Sequence, residues 1–323
     1  VTRPVTLSVT RVPAGGAEDV VVATHGPDTG AAFTGTEDGS VFRISADGQR
    51  IDKVGYTAGR PLGIEYAADG RLLICDARRG LLWLDPATGA IETIVDSASP
   101  EGRRELTFCN NAAIAADGTI WFSDSSTKFG IDRWREEMVQ LTRTGRLIRV
   151  DPDGTRTTVL SGLAFANGVA LAADDSFVCV AETSTRDVVR YWLTGPSAGM
   201  RDRLCSDLPG YPDNISRGSD GLIWVTLASP RDRVVERLQR SPMLLRRVVT
   251  TLPEPLQPNP KRTVRVQAYD ARGRLVHDLD LDPDRPGSAY HMVTGVREHD
   301  GTVWLGSLHE PAVARFDLAG AAR

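Results

Sequence analysis

Ala115-Ala116-Asp117-Gly118-Thr119-Ile120-Trp121-Phe122-Ser123-Asp124 is an Asp-Gly turn that opens an apolar run, and the pattern recurs along the chain. Ala67-Ala68-Asp69-Gly70 precedes such a run at 71–76, and Ala172-Ala173-Asp174-Asp175 precedes one at 176–182. Ser219-Asp220-Gly221 precedes 222–226, His299-Asp300-Gly301 precedes 302–307, and Pro27-Asp28-Thr29-Gly30 is a degenerate copy. Asp and Gly tolerate the positive φ of a tight turn, so each copy predicts a hairpin. A further strand-like run follows most copies, at 41–44, 81–84, 146–150, 188–192 and 312–316. Units of about four strands at a spacing of roughly 40–60 residues describe a propeller. The six marked turns therefore predict an all-β, six-bladed β-propeller in a single domain over 1–323. Trp121, Trp224 and Trp304 hold matching repeat positions and are expected to pack between blades.

Composition narrows the function. The chain has 323 residues, 38 Lys+Arg against 42 Asp+Glu, a net charge of -4 and 41% hydrophobic residues. That balance excludes wholesale disorder and gives no basic excess for nucleic acid. No run approaches the ~18 apolar residues of a membrane helix. The start, Val1-Thr2-Arg3-Pro4-Val5-Thr6, carries no apolar export core, so a cytoplasmic location is expected, with a trimmed start left open. Cys75, Cys109, Cys179 and Cys205 form no CxxC pair and are expected to be free, mostly buried thiols.

The interval between Trp224 and Asp300 is nearly double the repeat. Within it, about 230–262, apolar residues recur at helical spacing with basic residues between them. This predicts a helical cap insertion between blades 5 and 6, packed on one mouth of the propeller. Pro253, Pro255, Pro258 and Pro260 then return the chain to the strands. The basic helix also offers a face for peripheral membrane or partner contact.

The strand before each Asp-Gly turn is expected to be innermost, lining the channel. At its start the blades carry, in order, Glu18, the stretch Pro61-Leu62-Gly63-Ile64, Asn110-Asn111, Asn167, Asp213-Asn214 and the stretch 290–295. Four of six equivalent positions thus offer carboxylate or amide oxygens to one axis. Carboxylates in a dry channel repel unless neutralised. An all-oxygen set suits calcium, with magnesium or manganese as alternatives, whereas zinc would want His or Cys.

These same residues carry a resemblance. Gly16-Ala17-Glu18-Asp19-Val20, Phe108-Cys109-Asn110-Asn111, Ala166-Asn167-Gly168-Val169, Pro212-Asp213-Asn214-Ile215 and Glu298-His299-Asp300-Gly301 with Leu305-Gly306-Ser307 resemble strictosidine synthase-like proteins. Those lie in the wider superfamily of gluconolactonase (senescence marker protein) and paraoxonase. The resemblance implies a six-bladed propeller with axial calcium held by Glu18, Asn110, Asn167 and Asp213. It implies Asn111 and Asn214 as neighbours behind these ligands or as additional ones. Relatives commonly have Asn-Asp where this chain has Asn110-Asn111, so one negative charge is missing. Plant alkaloid-forming members use a blade 6 Glu to condense an amine with an aldehyde. Here Ser288-Ala289-Tyr290-His291-Met292-Val293-Thr294 has no carboxylate, and that chemistry is not expected.

The expected activity is metal-dependent hydrolysis of a lactone or ester at the channel mouth, with phosphotriester hydrolysis as a side activity. His291 is the expected general base, with Asp213 as an alternative base or nucleophile. Phe129, Trp134 and Thr294 are expected to line the substrate pocket. The alternative reading is a non-catalytic ligand- or protein-binding propeller with a structural metal. A monomer is expected.

Overall fold

The computed structural model describes residues 6–97, 105–253, 257–281 and 290–321. Residues 1–5 of the start, Pro255, Ser288 and Ala289 lie outside the described residues. Six four-stranded antiparallel sheets follow one another around an axis. Their innermost strands are Val21–Val22, Pro61–Tyr66, Cys109–Ile114, Ala166–Leu171, Gly210–Arg217 and Val293–His299. Each precedes its Asp-Gly turn, as the repeat predicts. Blade 6 takes its outer strand from the other end of the chain. Ser8–Arg11 pairs antiparallel with Ala312–Asp317, Val9 opposite Ala314, and so closes the ring.

The turn chemistry explains why the repeat is written in Asp and Gly. Asp117 Oδ1 accepts from Thr119 N at 2.9 Å, and Asp69 Oδ1 from Arg71 N at 3.0 Å. Gly118 and Gly70 follow at φ 88° and 85°, where a Cβ is disfavoured. The repeated tryptophans are buried in clusters that join neighbouring blades: Trp121 against Val169 and Val180, Trp224 against Val293 and Val296, Trp304 against Val22 and Phe42. The four cysteines are free, three of them buried.

The helical insertion is present as α2 (Arg233–Gln239) and α3 (Met243–Thr250), after α1 (Trp134–Gln140) earlier in the chain. The sheet order refines where it departs. The two helices leave between the second strand of blade 5, Ile223–Pro230, and the third, Arg265–Tyr269. Helix α1 leaves blade 3 at the equivalent place, and the repeat pattern gives no sign of it. The three helices meet over one mouth. Gln239 Nε2 donates to Met138 O at 2.8 Å, and Arg246 Nη1 donates to Gln140 O at 3.0 Å. Asp232 caps α2, accepting from Val234 N at 2.7 Å.

Candidate metal centre and pocket

Five of the six inner strands carry a one-residue bulge at the same place. It falls between Pro61 and Ile64, Cys109 and Ala112, Ala166 and Val169, Pro212 and Ile215, and Val293 and Gly295. A bulge inserts one residue and re-aims the side chains beside it. The donor dipeptides sit in or beside these bulges. Hydroxyls on the neighbouring strands satisfy carbonyls in these stretches. Thr34 Oγ1 donates to Asp19 O at 2.6 Å, Ser123 Oγ to Asn167 O at 2.6 Å, and Thr226 Oγ1 to Asn214 O at 2.9 Å.

Blades alternate around the axis. Blades 1, 3 and 5 place Asp19, Asn111 and Asn214 where blades 2, 4 and 6 place Gly63, Gly168 and Gly295. Each glycine takes the close approach of its neighbour's backbone. A Cβ on Gly63 would lie 2.6 Å from Asn111 Cα, and one on Gly295 would lie 2.6 Å from Asp19 Cα. The bulky member of each pair then reaches across. Asp19 Oδ2 accepts from Ile64 N at 3.2 Å, and Asn111 Oδ1 accepts from Val169 N at 2.8 Å. Asn111 Nδ2 also donates to Asp19 Oδ2 at 3.2 Å. Asn111 therefore has its oxygen committed and stands behind the donors.

The amide orientations are the informative feature. Asn110 Nδ2 donates to Ser125 Oγ at 2.9 Å, and Asn167 Nδ2 to Thr183 Oγ1 at 3.1 Å. Asn214 Nδ2 donates to Glu18 Oε1 and Oε2 at 3.0 and 3.1 Å. The Oδ1 atoms of all three asparagines are buried without a hydrogen-bond partner. Buried orphan acceptors are rare and costly, so three on one axis require an account. Glu18 is 2% exposed, and Asp213 is partly open. Burial, followed by the charges of Asp213 and Asp19, holds the Glu18 carboxyl well above its usual range; Arg60 and Asn214 pull it back. Burial pushes Asp213 up to about 7, with Asp19 adding and Asn167 opposing. Asp19 also rises to about 7 through burial, against the pull of the Arg297 guanidinium. Arg297 is itself paired with Glu65. Orphan amide oxygens beside desolvated carboxylates fit an oxygen-loving divalent cation. Among the described residues no three His, Cys, Asp or Glu side chains gather as a metal cluster; this donor set depends on amides.

The raised carboxyls set a pH dependence. In the unfolded chain these groups ionise near 4, whereas the folded, metal-free protein holds their protons to about 7. The unfolded state thus binds fewer protons across that window, and stability falls as pH rises from about 4 to about 7. The slope is up to about 1.4 kcal/mol per pH unit for each group. Denaturant melts of chelator-treated protein at pH 5 and pH 7.5 check this. Equal stability at both would rule it out.

Above the donors lies a mostly apolar cavity of about 100 Å³, with Glu18, Asn110, Asn167 and Asp213 among its lining. Its wall includes Phe108, Phe165, Tyr211 and Met292, while α1 and α2 supply Trp134, Met138 and Val235 as a roof. The volume is several times the roughly 10–15 Å³ one water needs, so a small organic ligand fits. The sequence held a signal for the wall. Phe108, Phe165, Tyr211 and Met292 each stand two residues before the donor position of their blade. Arg60 holds that place in blade 2, donates to Gly16 O at 3.0 Å and faces an adjoining polar cleft.

Three expected site residues fall elsewhere. His291 does not line the cavity: its Nδ1 lies 2.5 Å from Glu310 Oε1, and its ring tilts against His309 at 6.0 Å. It stands three residues before the donor position, on the opposite parity from Met292. A carboxylate, Glu310, does stand beside His291, supplied by a segment distant from the stretch that was read. Thr294 is fully buried behind Glu18, donating to Glu18 O at 2.8 Å, and does not line the cavity. Phe129 is also buried off the cavity, with the Arg133 guanidinium 4.6 Å from its ring centre. Trp134, the first residue of α1, lines the cavity as expected.

The fold and the axial oxygen donors define a six-bladed propeller with a capped central cavity. The chain belongs to the strictosidine synthase family. That family's sequence profile matches residues 110–196. The chain is 35% identical over 272 residues to a strictosidine synthase-like protein of Arabidopsis thaliana, covering 81% of this chain and 71% of the relative. It is 30% identical over 311 residues to the adipocyte plasma membrane-associated protein of Salmo salar, covering 89% and 73%. A gluconolactonase structure from Xanthomonas campestris superposes with TM-score 0.68 at 16% identity over 96% of this chain and 89% of that one. The calcium-binding protein regucalcin from Agrobacterium tumefaciens gives TM-score 0.63 at 15% identity, over 97% and 94%. At these identities the two structures share the fold.

Proposed function

We propose that this protein is a metal-dependent hydrolase of a lactone or ester, acting as a monomer in the cytoplasm. Calcium is the preferred ion, held by Glu18, Asn110, Asn167 and Asp213, with Asn214 as a further donor. The observation that carries the reading is the set of buried, unpartnered amide oxygens of Asn110, Asn167 and Asn214 on the strands that also bring Glu18 and Asp213 to the floor of an apolar cavity. A cation held by these residues would supply polarisation of a substrate carbonyl and stabilisation of the developing oxyanion.

The chain's own groups supply the rest. Glu18 and Asp213 offset the cation's charge, and Asn214 holds the Glu18 carboxylate through both oxygens. Asp213 is the donor most open to the cavity, since Glu18, Asn110 and Asn167 are each at most 3% exposed. Its carboxylate takes the proton of the attacking water as oxygen bonds to the carbonyl carbon, then returns it to the leaving alkoxide. Phe108, Phe165, Trp134 and Met138 hold the apolar part of the substrate and exclude bulk water. Phosphotriester hydrolysis is a side activity of the same site.

The test is turnover of lactones and aryl esters by chelator-stripped protein, with calcium, magnesium or manganese added back. Activity restored by calcium, and higher for esters with apolar acyl groups, is the expected result. Calcium binding without turnover across the panel would favour a binding propeller with a structural metal.

A further inference from the structure

Helix α3 is seated inside out. Two of its polar side chains face the protein: Arg246 donates to Gln140 O at 3.0 Å and to Ser241 O at 2.8 Å, and Thr250 is buried against Gln140. Four of its five apolar side chains are exposed to solvent. Leu244 is 75% exposed, Val248 49%, Leu245 47% and Met243 40%. Leu244 and Val248 are four residues apart and share one helix face. Val234 of α2, 60% exposed, and Leu252, 37% exposed, are further exposed apolar residues of the same insertion. The cap insertion read from the sequence is therefore present, but its apolar stripe points away from the propeller. A clustered apolar surface of this kind marks an interaction site.

The surrounding charge selects the occupant. Residues 231–262 carry eight Lys+Arg against three Asp+Glu, in a chain whose net charge is -4. Arg233, Arg237, Arg240 and Arg247 are exposed around the apolar residues. Two copies meeting through this face would bring like charges together. A bilayer with anionic headgroups answers both features: an acyl boundary for the leucines and phosphates for the arginines. We propose that the cap docks on an anionic lipid surface, with Leu244 and Val248 entering the acyl boundary and the arginines at the headgroups. Among the described residues no helix is long and apolar enough to cross a membrane. Val235 of α2 also roofs the cavity, so docking would set the cavity beside the lipid. On the hydrolase reading, that favours esters that partition into membranes; the docking itself does not depend on turnover.

The experiment is vesicle sedimentation of the full chain with phosphatidylcholine alone and with phosphatidylserine added. We expect at least about tenfold stronger partition onto the anionic vesicles, weakening with salt. Leu244→Ser/Val248→Ser should lower that partition by about tenfold or more, with an unchanged melting temperature because both sites are exposed. Arg237→Gln/Arg247→Gln should remove the preference for phosphatidylserine while leaving residual binding. Equal partition of wild type and the serine variant overturns the proposal. So does a dimer, seen by light scattering, that the serine variant dissolves, because the face would then belong to a second copy.

Discussion

Glu18→Gln should raise the stability of the metal-free protein and abolish its stabilisation by calcium, two effects of opposite sign. The glutamine keeps the shape and accepts a hydrogen bond from Asn214, but removes a carboxyl that burial already disfavours as an anion. Without metal at pH 8, the gain is on the order of 1–3 kcal/mol. With metal, one of two balancing charges is gone, and calcium affinity should fall by about a hundredfold or more, roughly 2.7 kcal/mol. Calorimetric titration and melts with and without calcium read both signs. In the wild type, calcium at a hundred times its Kd should add about 2.7 kcal/mol, a shift of about 4 °C for a chain of this length. Asp213→Asn should show the same loss of affinity. It should also lower kcat by about a hundredfold or more at saturating calcium, because the proton acceptor is removed as well. A Glu18→Gln protein that keeps the full calcium shift would remove Glu18 from the metal centre.

Gly168→Ala should be strongly destabilising. An added Cβ would stand 2.1 Å from Ile215 N and 2.6 Å from Asn214 Cα. Both are backbone atoms of the next inner strand, so no rotamer change relieves the clash and the two blades must part. Overpacking of this kind costs about 3 kcal/mol or more. Asn167 and Asp213 flank the separating contact, so calcium affinity should fall with stability. The control is Gly320→Ala, where a Cβ meets open space in a short terminal helix and a small gain is expected. Denaturant midpoints of the two variants decide it. An unchanged midpoint for Gly168→Ala would mean the inner strands are not held by that contact.

His291, Thr294 and Phe129 lie off the cavity for separate reasons. His291 stands at the mouth of blade 6, but strand parity turns Met292 into the cavity and leaves His291 with Glu310. Parity was available in the sequence: Phe108, Phe165 and Tyr211 stand two residues before their donors, and Met292 is their counterpart. Thr294 was placed correctly along the strand, yet its hydroxyl is used on the Glu18 carbonyl, which no local pattern announces. Phe129 lies in the segment leading to α1, where the turn made by Ile131–Arg133 parts it from Trp134. Helix α1 has only seven residues, too few for a periodic signal.

Sequence alone determined the blade repeat, the tryptophans between blades and the oxygen-bearing dipeptides. Those features are local: a turn residue, a strand period and a position within a unit. Tertiary structure alone decided four others. It closed the ring with Ser8–Arg11 against Ala312–Asp317, a pairing between the two ends of the chain. It brought Glu310 to His291. It turned the amide oxygens of Asn110 and Asn167 inward by engaging their nitrogens with Ser125 and Thr183. It also set α3 with its leucines outward, because Arg246 and Thr250 find partners on α1. Each of these depends on a hydrogen bond or ion pair whose partner arrives from elsewhere in the chain, and such partners are chosen by packing rather than by periodicity.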